Sequence, residues 1–313
     1  MTKSSFIIIP AHNRRNYTLF CLHNLLSIGV MQHCRIIVVD DGSTDGTAES
    51  ICSEFPEVTL LQGDGSLYWT GAIEMGMRYA MSHGAECMIW LNDDSKVSSG
   101  SIERLAQVAS ETGGIASALG FVDMHTIGKK WYFPAQKKTL FGLKNIKVTP
   151  NSGLIPTDAC RGNLVAIHRS VIEKIGYPDG CCIPHVAGDS DYTLRTTEAG
   201  IPCCLVSDVL LEELGTIRKD NESWLLGDNS VSQLWKGIIC KRNSNYIPMK
   251  WRYLRRHWGL IGLMQFPIPY VKLGIISVLK LLLPQKTLLA IYGKKSHAWK
   301  TKSWSRALER QNP

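Results

Sequence analysis

Short apolar runs alternate with longer amphipathic stretches through the first 120 residues of the chain. The short runs are rich in branched residues and have the length of buried strands, whereas the longer stretches place apolar residues at helical spacing. This alternation predicts a wound α/β domain in which helices join mostly parallel strands and flank their sheet. The predicted strands are Ser5–Ile9, Arg35–Val39, Val58–Leu61, Cys87–Leu91 and Gly114–Leu119; the predicted helices are Tyr17–Ile28, Thr44–Glu54, Trp69–His83 and Gly100–Glu111.

Lysines, prolines, glycines and aromatic residues interrupt the alternation between residues 129 and 156, which predicts irregular strands and loops facing a ligand. Regular elements are predicted again further on: a strand near Leu164–Ile167, a short helix that Ser170 caps and that ends at Gly176, and a helix over Ser190–Ala199. After Gly237 the chain becomes rich in Trp, Tyr, Lys and Arg, so a domain boundary is predicted there.

The 313 residues, 44% of them apolar, suffice for one large domain and an appendage. Their net charge of +8 is unevenly distributed, because residues 241–313 hold fifteen Lys or Arg and only one acid, Glu309. This asymmetry predicts chemistry in the first part of the chain and attraction to an anionic surface in the last. The predicted units are one domain at 1–237, divided near residue 120 into two halves, and a basic helical tail at 238–313.

The tail interleaves aromatic and basic residues at Lys250–Trp258, which reads KWRYLRRHW. Such a pattern is compatible with nucleic-acid binding, with a helix lying among lipid headgroups and with a solvated basic helix. The apolar stretch Leu260–Leu283 that follows favours an anionic membrane surface over nucleic acid as the partner. Because Lys280 interrupts the most apolar part of this stretch, surface attachment is expected rather than a membrane span.

The ten cysteines form no CxxC pair, and two of their pairs are adjacent in sequence, which predicts reduced and mostly buried thiols. The N-terminal apolar run has only four residues before Pro10, fewer than the apolar region of a signal peptide. Together these features predict a cytoplasmic protein that attaches peripherally to the inner face of the cell membrane.

Two carboxylates, Asp40 and Asp41, end the second predicted strand before the chain turns at Gly42. Open α/β sheets bind their ligands at the carboxyl ends of strands, so Asp41 is predicted to contact a ligand. Ser43 or Asp45 is predicted to cap the helix that follows, since both are good capping residues.

Two further acidic pairs lie at Asp93-Asp94, after the fourth predicted strand, and at Asp189 and Asp191, where a helix begins. Adjacent carboxylates repel each other unless a cation lies between them, so either a divalent ion or a solvated turn explains the first pair. The second pair is compatible with ordinary helix capping when it is taken alone.

Read together, the motifs resemble those of glycosyltransferase family 2, of the GT-A fold, in its bacterial polysaccharide, rhamnosyltransferase-like members. The resemblance covers about residues 5–216. It rests on FIIIPAHNR at 6–14, similar to the loop that flanks the nucleotide base, DDGS at 40–43, the Gly-rich segment 63–72, NDD at 92–94, similar to the DxD element, and GDSD at 188–191, similar to the Glu-Asp-x-Asp segment.

The resemblance implies a role for each matching residue. Asp94 would bind a divalent metal, Mg²⁺ or Mn²⁺, and Asp189 would be the general base. The residues implied to bind the donor are Pro10, His12, Asn13, Arg14, Asp41, Gly71 and Asp93. Two positions depart from the family pattern: Asn92 stands where Asp is usual, and Gly188 stands where Glu is usual.

Several residues have two interpretations each. Glu213 lies where many relatives have a histidine near the metal, so it is either a further hard oxygen ligand or an exposed acid. Arg161 and Asn163 either line the acceptor pocket or form a turn before the next strand. Asp191 is expected on the acceptor side.

The implied reaction is inverting transfer of a sugar from a nucleoside diphosphate sugar to an acceptor hydroxyl, with a lipid-linked glycan of O-antigen or capsule synthesis as the expected acceptor. A non-catalytic sugar- or lipid-binding protein on a transferase scaffold is the alternative. A nicotinamide dehydrogenase is excluded because no GxGxxG follows the first strand, and a nucleotidyltransferase would need a basic Gly-rich loop there.

Overall fold

The computed structural model describes residues 4–124, 129–214, 230–284 and 286–288, and within them one ten-stranded sheet carries helices on both faces. The strands are β1 Ser5–Ala11, β2 Arg35–Asp40, β3 Thr59–Gln62, β4 Cys87–Leu91, β5 Ser95–Val97, β6 Ile115–Met124, β7 Lys129–Tyr132, β8 Ala135–Thr139, β9 Gly142–Ile146, β10 Leu154–Pro156, β11 Leu164–His168 and β12 Cys203–Glu213. The helices are α1 Arg15–Ser27, α2 Thr47–Glu54, α3 Tyr68–Ser82, α4 Ser101–Thr112, α5 Arg169–Ile175, α6 Gly188–Glu198, α7 Val231–Lys236, α8 Ile247–Gln265 and α9 Ile268–Leu282.

The strand order in the sheet is β10-β12-β6-β11-β4-β1-β2-β3, with β5 paired to β12 and β7 paired to β6. Parallel pairing joins β3, β2, β1 and β4, and also β6 and β12. Strand β11 runs antiparallel to both of its neighbours and connects these two parallel groups. The carboxyl ends of β1, β2 and β4 therefore lie side by side at one edge of the sheet.

The first strand shows why its sequence is apolar almost throughout. Ile7 and Ile9 belong to a core under α1 and α4, whereas Phe6 and Ile8 belong to a second core under α3 on the opposite face. Because successive side chains of a strand point to opposite faces, a strand covered on both sides needs apolar residues at every position.

The predicted elements of the first half are all present, with their ends within three residues except that β6 continues to Met124. The prediction that Ser170 caps α5 is wrong. His168 is the N-cap of α5, and its Nδ1 accepts a hydrogen bond from the Ser170 backbone N–H at 3.4 Å. The Ser170 hydroxyl donates instead to the carbonyl of Gly113 at 2.9 Å, so it joins α5 to the start of β6.

The segment after residue 230 is helical, as predicted, and bends twice. Gly259 interrupts α8 with a φ of 53°, and a bend of 42° separates α8 from α9. Within the described residues, no single helix is long and apolar enough to cross a membrane, but α8 and α9 together reach that length and composition. The predicted boundary at residue 237 stays a prediction, and residues 289–313 of the predicted tail lie outside the described part of the chain.

All ten cysteines are free thiols, and six of them are buried, as predicted. Burial raises the pKa of Cys34 and of Cys87 to about 12. These two thiols are therefore protonated and unreactive at neutral pH, which is the behaviour of small apolar core residues.

Candidate active site

A cleft of about 660 Å³ opens at the carboxyl ends of β1, β2 and β4. Its location follows from topology, because adjacent parallel strands end at the same edge and ligands of open α/β sheets bind there. The residues that line it are Pro10, Ala11, His12, Arg14, Asp41, Tyr68, Trp69, Ala72, Asn92, Asp93, Asp94, Gly162, Asn163, His185, Val186, Ala187, Asp189 and Arg242.

The acids after β4 share one cation, Arg14. Its guanidinium lies 3.1 Å from an oxygen of Asp93 and donates to Asp94 at 2.8 Å. Burial, together with the charge of Asp94, raises the pKa of Asp93 to about 7, although the charge of Arg14 opposes the shift. Two adjacent carboxylates with one arginine leave the pair short of positive charge when both are ionised.

Glu213, at the end of β12, adds a third carboxylate beside Asp94. The Leu214 backbone N–H donates to the Asp94 carbonyl at 2.8 Å, and β12 pairs with β5 immediately after Asp94. Burial, and then the charge of Asp94, raise the pKa of Glu213 to about 7. Its buried Oε1 has no hydrogen-bond partner in the described part of the chain, so Glu213 is not the exposed acid of the second interpretation.

This donor set fits a hard divalent cation. Asp94 and Glu213 offer oxygen ligands, and one of those oxygens is buried without a partner in the described part of the chain. Magnesium-type sites commonly use one or two carboxylates and complete their coordination with substrate phosphates and water. Among the described residues, no group of three or more His, Cys, Asp or Glu is arranged to hold a metal ion by itself.

Asp41 lines the cleft and at the same time holds its neighbouring loop. One carboxylate oxygen accepts from the backbone N–H groups of Gly65 and Leu67 at 2.9 and 3.1 Å, and the other accepts from Tyr68 at 2.8 Å. These bonds keep Tyr68 at a φ of 56°, a left-handed conformation that is costly for a large side chain. Asp41 therefore has a structural role in holding this loop. Its contact with the donor stays a prediction.

The loop after β1 is tied to the loop after β2. The side-chain oxygen of Asn13 accepts from the Thr44 backbone N–H at 2.8 Å. The backbone N–H of Asn13 donates to the Ser43 hydroxyl, also at 2.8 Å. Asp45 accepts from the backbone N–H groups of Arg15 and Thr47, the first residues of α1 and α2. The predicted N-cap at Ser43 or Asp45 is nevertheless wrong, because the N-cap of α2 is Gly46. Of the residues predicted to bind the donor here, Pro10, His12 and Arg14 line the cleft, whereas the Asn13 side chain supports the loop.

Asn92, the first departure from the family pattern, bridges two walls of the cleft. Its side-chain oxygen accepts from the Trp69 indole at 2.9 Å, and its amide donates to the side-chain oxygen of Asn163 at 3.2 Å. An aspartate at position 92 has no hydrogen to donate to Asn163 in its ionised form. The amide of Asn92 can therefore bond to both neighbours. Asn163 lines the cleft, which is compatible with the first of its two interpretations.

Asp189 lies in the first turn of α6 and lines the cleft. One of its oxygens accepts from the Gly162 backbone N–H at 3.0 Å, and the other accepts from Ser190 at 2.7 Å. Gly188 explains the second departure, because a Cβ there would lie 2.0 Å from the Thr70 hydroxyl oxygen. Only glycine allows α6 to approach α3 this closely, and this approach brings Asp189 to the cleft.

Asp191 points away from the cleft, contrary to its predicted place on the acceptor side. It is 1% exposed, and both of its oxygens accept from Arg256 of α8 at 2.6 Å, while His257 contacts one of them at 3.0 Å. The helix period accounts for the difference, since residues two apart lie on opposite sides of a helix. Asp191 therefore attaches α8 to the helix that carries Asp189.

Two other predicted residues lie outside the cleft lining. Gly71 packs against Gly180, where a Cβ on residue 180 would lie 2.8 Å from the Gly71 Cα. Arg161 is exposed, and its guanidinium stacks on the Phe133 ring at 4.1 Å. These contacts give Gly71 a packing role, and they give Arg161 a position at the rim.

Four aromatic or basic residues of the cleft received no individual role in the sequence analysis, although two of them belong to the Gly-rich segment 63–72 that the resemblance includes: Tyr68, Trp69, His185 and Arg242. The adjacent aromatics at 68 and 69 were detectable, because large aromatic side chains at the start of a helix next to a Gly-rich loop often face a ligand. Arg242 carried no such signal, since it is one of many bases in the last part of the chain.

Two solved structures have a similar fold. A mannosyltransferase, PcManGT from Pyrobaculum calidifontis in complex with GDP-Man and Mn²⁺, matches over 96% of this chain and 82% of its own, with a TM-score of 0.54 and 16% identity. GalNAc-T7 with UDP, GalNAc and Mn²⁺ matches over 67% of this chain and 43% of its own, with a TM-score of 0.56 and 16% identity. The chain therefore has the GT-A fold, as predicted.

A model of glycosyl transferase family 2 matches residues 6–176, more than half of the 313 residues. The chain belongs to glycosyl transferase family 2. A dTDP-rhamnosyl transferase of Shigella flexneri, RfbF, is 25% identical over 181 residues, which are 57% of this chain and 59% of that protein. The chain thus aligns with about three fifths of the length of this relative.

Proposed function

We propose that this protein transfers a sugar from a nucleoside diphosphate sugar to an acceptor hydroxyl, with inversion at the anomeric carbon. The observation that carries the proposal is that Asp94 and Asp189 line one cleft at the carboxyl edge of the parallel strands, while Glu213, which does not line the cleft, interacts with Asp94 from behind it. Membership of glycosyl transferase family 2 supports the class of reaction. The named relative, a dTDP-rhamnosyl transferase, makes a dTDP-deoxyhexose a donor to test first.

The proposal assigns different roles in the reaction to different carboxylates. Asp189 takes the proton of the acceptor hydroxyl, because it lines the cleft and the backbone N–H groups of Gly162 and Ser190 fix the orientation of its carboxylate. Asp41 and Asp93 lie at the donor wall with His12 and Arg14. Asp94 and Glu213 would hold a Mg²⁺ or Mn²⁺ ion, which supplies positive charge to the departing diphosphate.

Removal of the Asp94 carboxylate is expected to abolish metal-dependent donor binding. The wild-type protein is titrated with UDP-, dTDP- and GDP-sugars, with and without Mn²⁺, and thermal stabilisation and donor hydrolysis are measured. We expect one donor series to raise the melting temperature in the presence of Mn²⁺. For Asp94→Ala we expect the apparent Kd of that donor to rise by about 10- to 100-fold and to lose its metal dependence.

The matched control for this experiment is Asp208→Ala, which also removes an acid paired with an arginine. Asp208 is exposed and lies 3.3 Å from Arg104, outside the cleft lining. Unchanged metal-dependent binding by Asp94→Ala would remove Asp94 as a ligand. If no donor stabilises the wild-type protein or is hydrolysed by it, the result would instead favour a sugar- or lipid-binding protein on a transferase scaffold.

We further propose that the acceptor is a lipid-linked glycan of cell-surface polysaccharide synthesis and that the helical segment holds the enzyme on the inner face of an anionic membrane. Apolar side chains at Leu260, Met264, Ile268, Val271, Ile275, Val278 and Leu282 recur every three or four residues along α8 and α9 and are all more than half exposed. Such an exposed apolar row on a basic segment is typical of helices that lie in the headgroup region.

Charges placed in this row are expected to prevent vesicle binding. Val271→Glu/Val278→Glu puts two carboxylates into the apolar row, and Gln107→Glu/Ser110→Glu adds two at exposed positions of α4 as the control. We expect the first variant to bind vesicles of phosphatidylserine and phosphatidylcholine at least about tenfold more weakly than the control. Equal binding by both variants in a flotation assay would argue against this surface.

A further inference from the structure

The cleft has a second charged wall that neither the motifs nor the proposed roles account for. Arg242 lines the cleft, although it lies between α7 and α8, far along the chain from the other lining residues. Its guanidinium carbon lies 5.6 Å from the centre of the Tyr68 ring, and the Lys241 ammonium lies 5.4 Å from the same centre. Each of these two adjacent cations therefore lies within cation–π distance of the same aromatic ring.

Such an arrangement needs an explanation, because like charges held close together repel each other. The Tyr68 ring offsets part of the repulsion, since cations within about 6 Å of an aromatic face are attracted to it. Within the described residues, no carboxylate lies within ion-pair distance of either side chain, although the exposed Asp64 carboxylate is close enough to Lys241 to interact with it electrostatically. Arg14 differs in this respect, because Asp93 and Asp94 already neutralise it. An anion in the cleft would complete the charge balance of Lys241 and Arg242.

Hydrogen bonds fix the loop that carries Lys241 and Arg242. Asn243 accepts from the Asn245 backbone N–H at 2.9 Å, and the Ile247 N–H donates to the Ile238 carbonyl at 3.0 Å, which closes the loop at its base. The Tyr270 hydroxyl of α9 donates to the Asn245 carbonyl at 3.1 Å. The ring beneath the cations is also fixed, since the Tyr68 backbone is bound to Asp41.

We propose that Arg242 and Lys241 form a phosphate-binding site on this wall of the cleft, facing the carboxylate wall across the substrate. Arginine suits this role because its planar guanidinium can donate two hydrogen bonds to one phosphate. The inference rests on the proposed sugar transfer and adds to it a substrate contact from the helical segment. Both the diphosphate of the donor and a phosphate of a lipid-linked acceptor have the required chemistry.

The test measures each substrate separately in Arg242→Gln and Lys241→Gln, with Lys236→Gln as the control because Lys236 is an exposed base of α7 that does not line the cleft. The binding of UDP, dTDP and GDP with Mn²⁺, of the matching nucleosides and of inorganic pyrophosphate is followed by calorimetry. Transfer to a lipid-phosphate-linked acceptor and to the same glycan without phosphate gives the acceptor KM values.

If the donor diphosphate occupies the site, Arg242→Gln is expected to raise the Kd of the nucleoside diphosphate by about tenfold or more and to leave nucleoside binding unchanged. If the acceptor phosphate occupies it, the Kd is unchanged and the KM rises only for the phosphate-linked acceptor. Wild-type values for both substrates in Arg242→Gln and Lys241→Gln would overturn the inference. A wild-type protein that binds pyrophosphate through Arg242 but transfers no sugar would overturn the proposed reaction and retain the site.

Discussion

Replacing Asp189 by asparagine is expected to lower sugar transfer by about two to four orders of magnitude, which is the usual contribution of a positioned general base. Asparagine keeps the shape of the side chain but has no basic oxygen to accept the acceptor proton. Donor binding is expected to remain at its wild-type level, because asparagine keeps the size of the side chain and the proposed metal ligands, Asp94 and Glu213, are unchanged. The measurement is kcat for transfer beside the Kd of the donor with Mn²⁺.

The local geometry predicts a second, smaller effect of this substitution. Each oxygen of Asp189 accepts one backbone N–H, from Gly162 and from Ser190. The amide group of asparagine can accept only one of these bonds, because its nitrogen is a donor. A modest fall in melting temperature is therefore expected, and it must be measured so that it is not mistaken for the loss of a base.

Two further variants separate the roles of the carboxylate. Ser190→Ala removes the hydroxyl that lies 3.3 Å from Asp189 and keeps the carboxylate, so transfer is expected to change little. Asp189→Glu keeps a base but displaces it, so partial activity is expected. Full turnover by Asp189→Asn would exclude Asp189 as the base, whereas an equal loss in Ser190→Ala would point to disturbed α6 geometry.

The sequence predicted the strands well because their apolar pattern is local and strong. Phe6, Ile7, Ile8 and Ile9 form an uninterrupted apolar run, and only a strand buried on both faces explains a run this short. The sequence did not predict that β11 runs antiparallel between β4 and β6. Strand direction depends on the path of the chain between strands, which no local pattern of β11 encodes.

Sequence reasoning located the site better than it described the contacts within it. Asp41, Asp94 and Asp189 meet at one cleft because the ends of parallel strands and the start of α6 converge there. The three bonds that Asp41 accepts come from residues 24 to 27 positions further along the chain. Likewise, Trp69 and Asn163 explain Asn92 only once the fold has brought them together.

Replacing Asp191 by alanine is expected to lower the free energy of unfolding by about 3–5 kcal/mol, because it removes one partner of a buried ionic network. Arg256 and His257 would lose their shared carboxylate, while His257 is itself fully buried. Glu198 contacts the other His257 ring nitrogen at 3.0 Å, and in its doubly protonated form the ring donates to both carboxylates. Equilibrium unfolding in urea measures the loss.

The control for this prediction is Asp208→Ala, which breaks the exposed ion pair with Arg104. Surface pairs contribute about 0–1 kcal/mol, so a large difference between the two variants would locate the stabilisation in the buried network. The loss of Asp191 should also release α8, because Arg256 would retain only its contact with Asp179. Faster proteolysis between residues 237 and 246 in Asp191→Ala is the expected sign of that release. Equal unfolding free energies for both variants would show instead that apolar contacts, and not the buried ionic network, hold α8 on the catalytic domain.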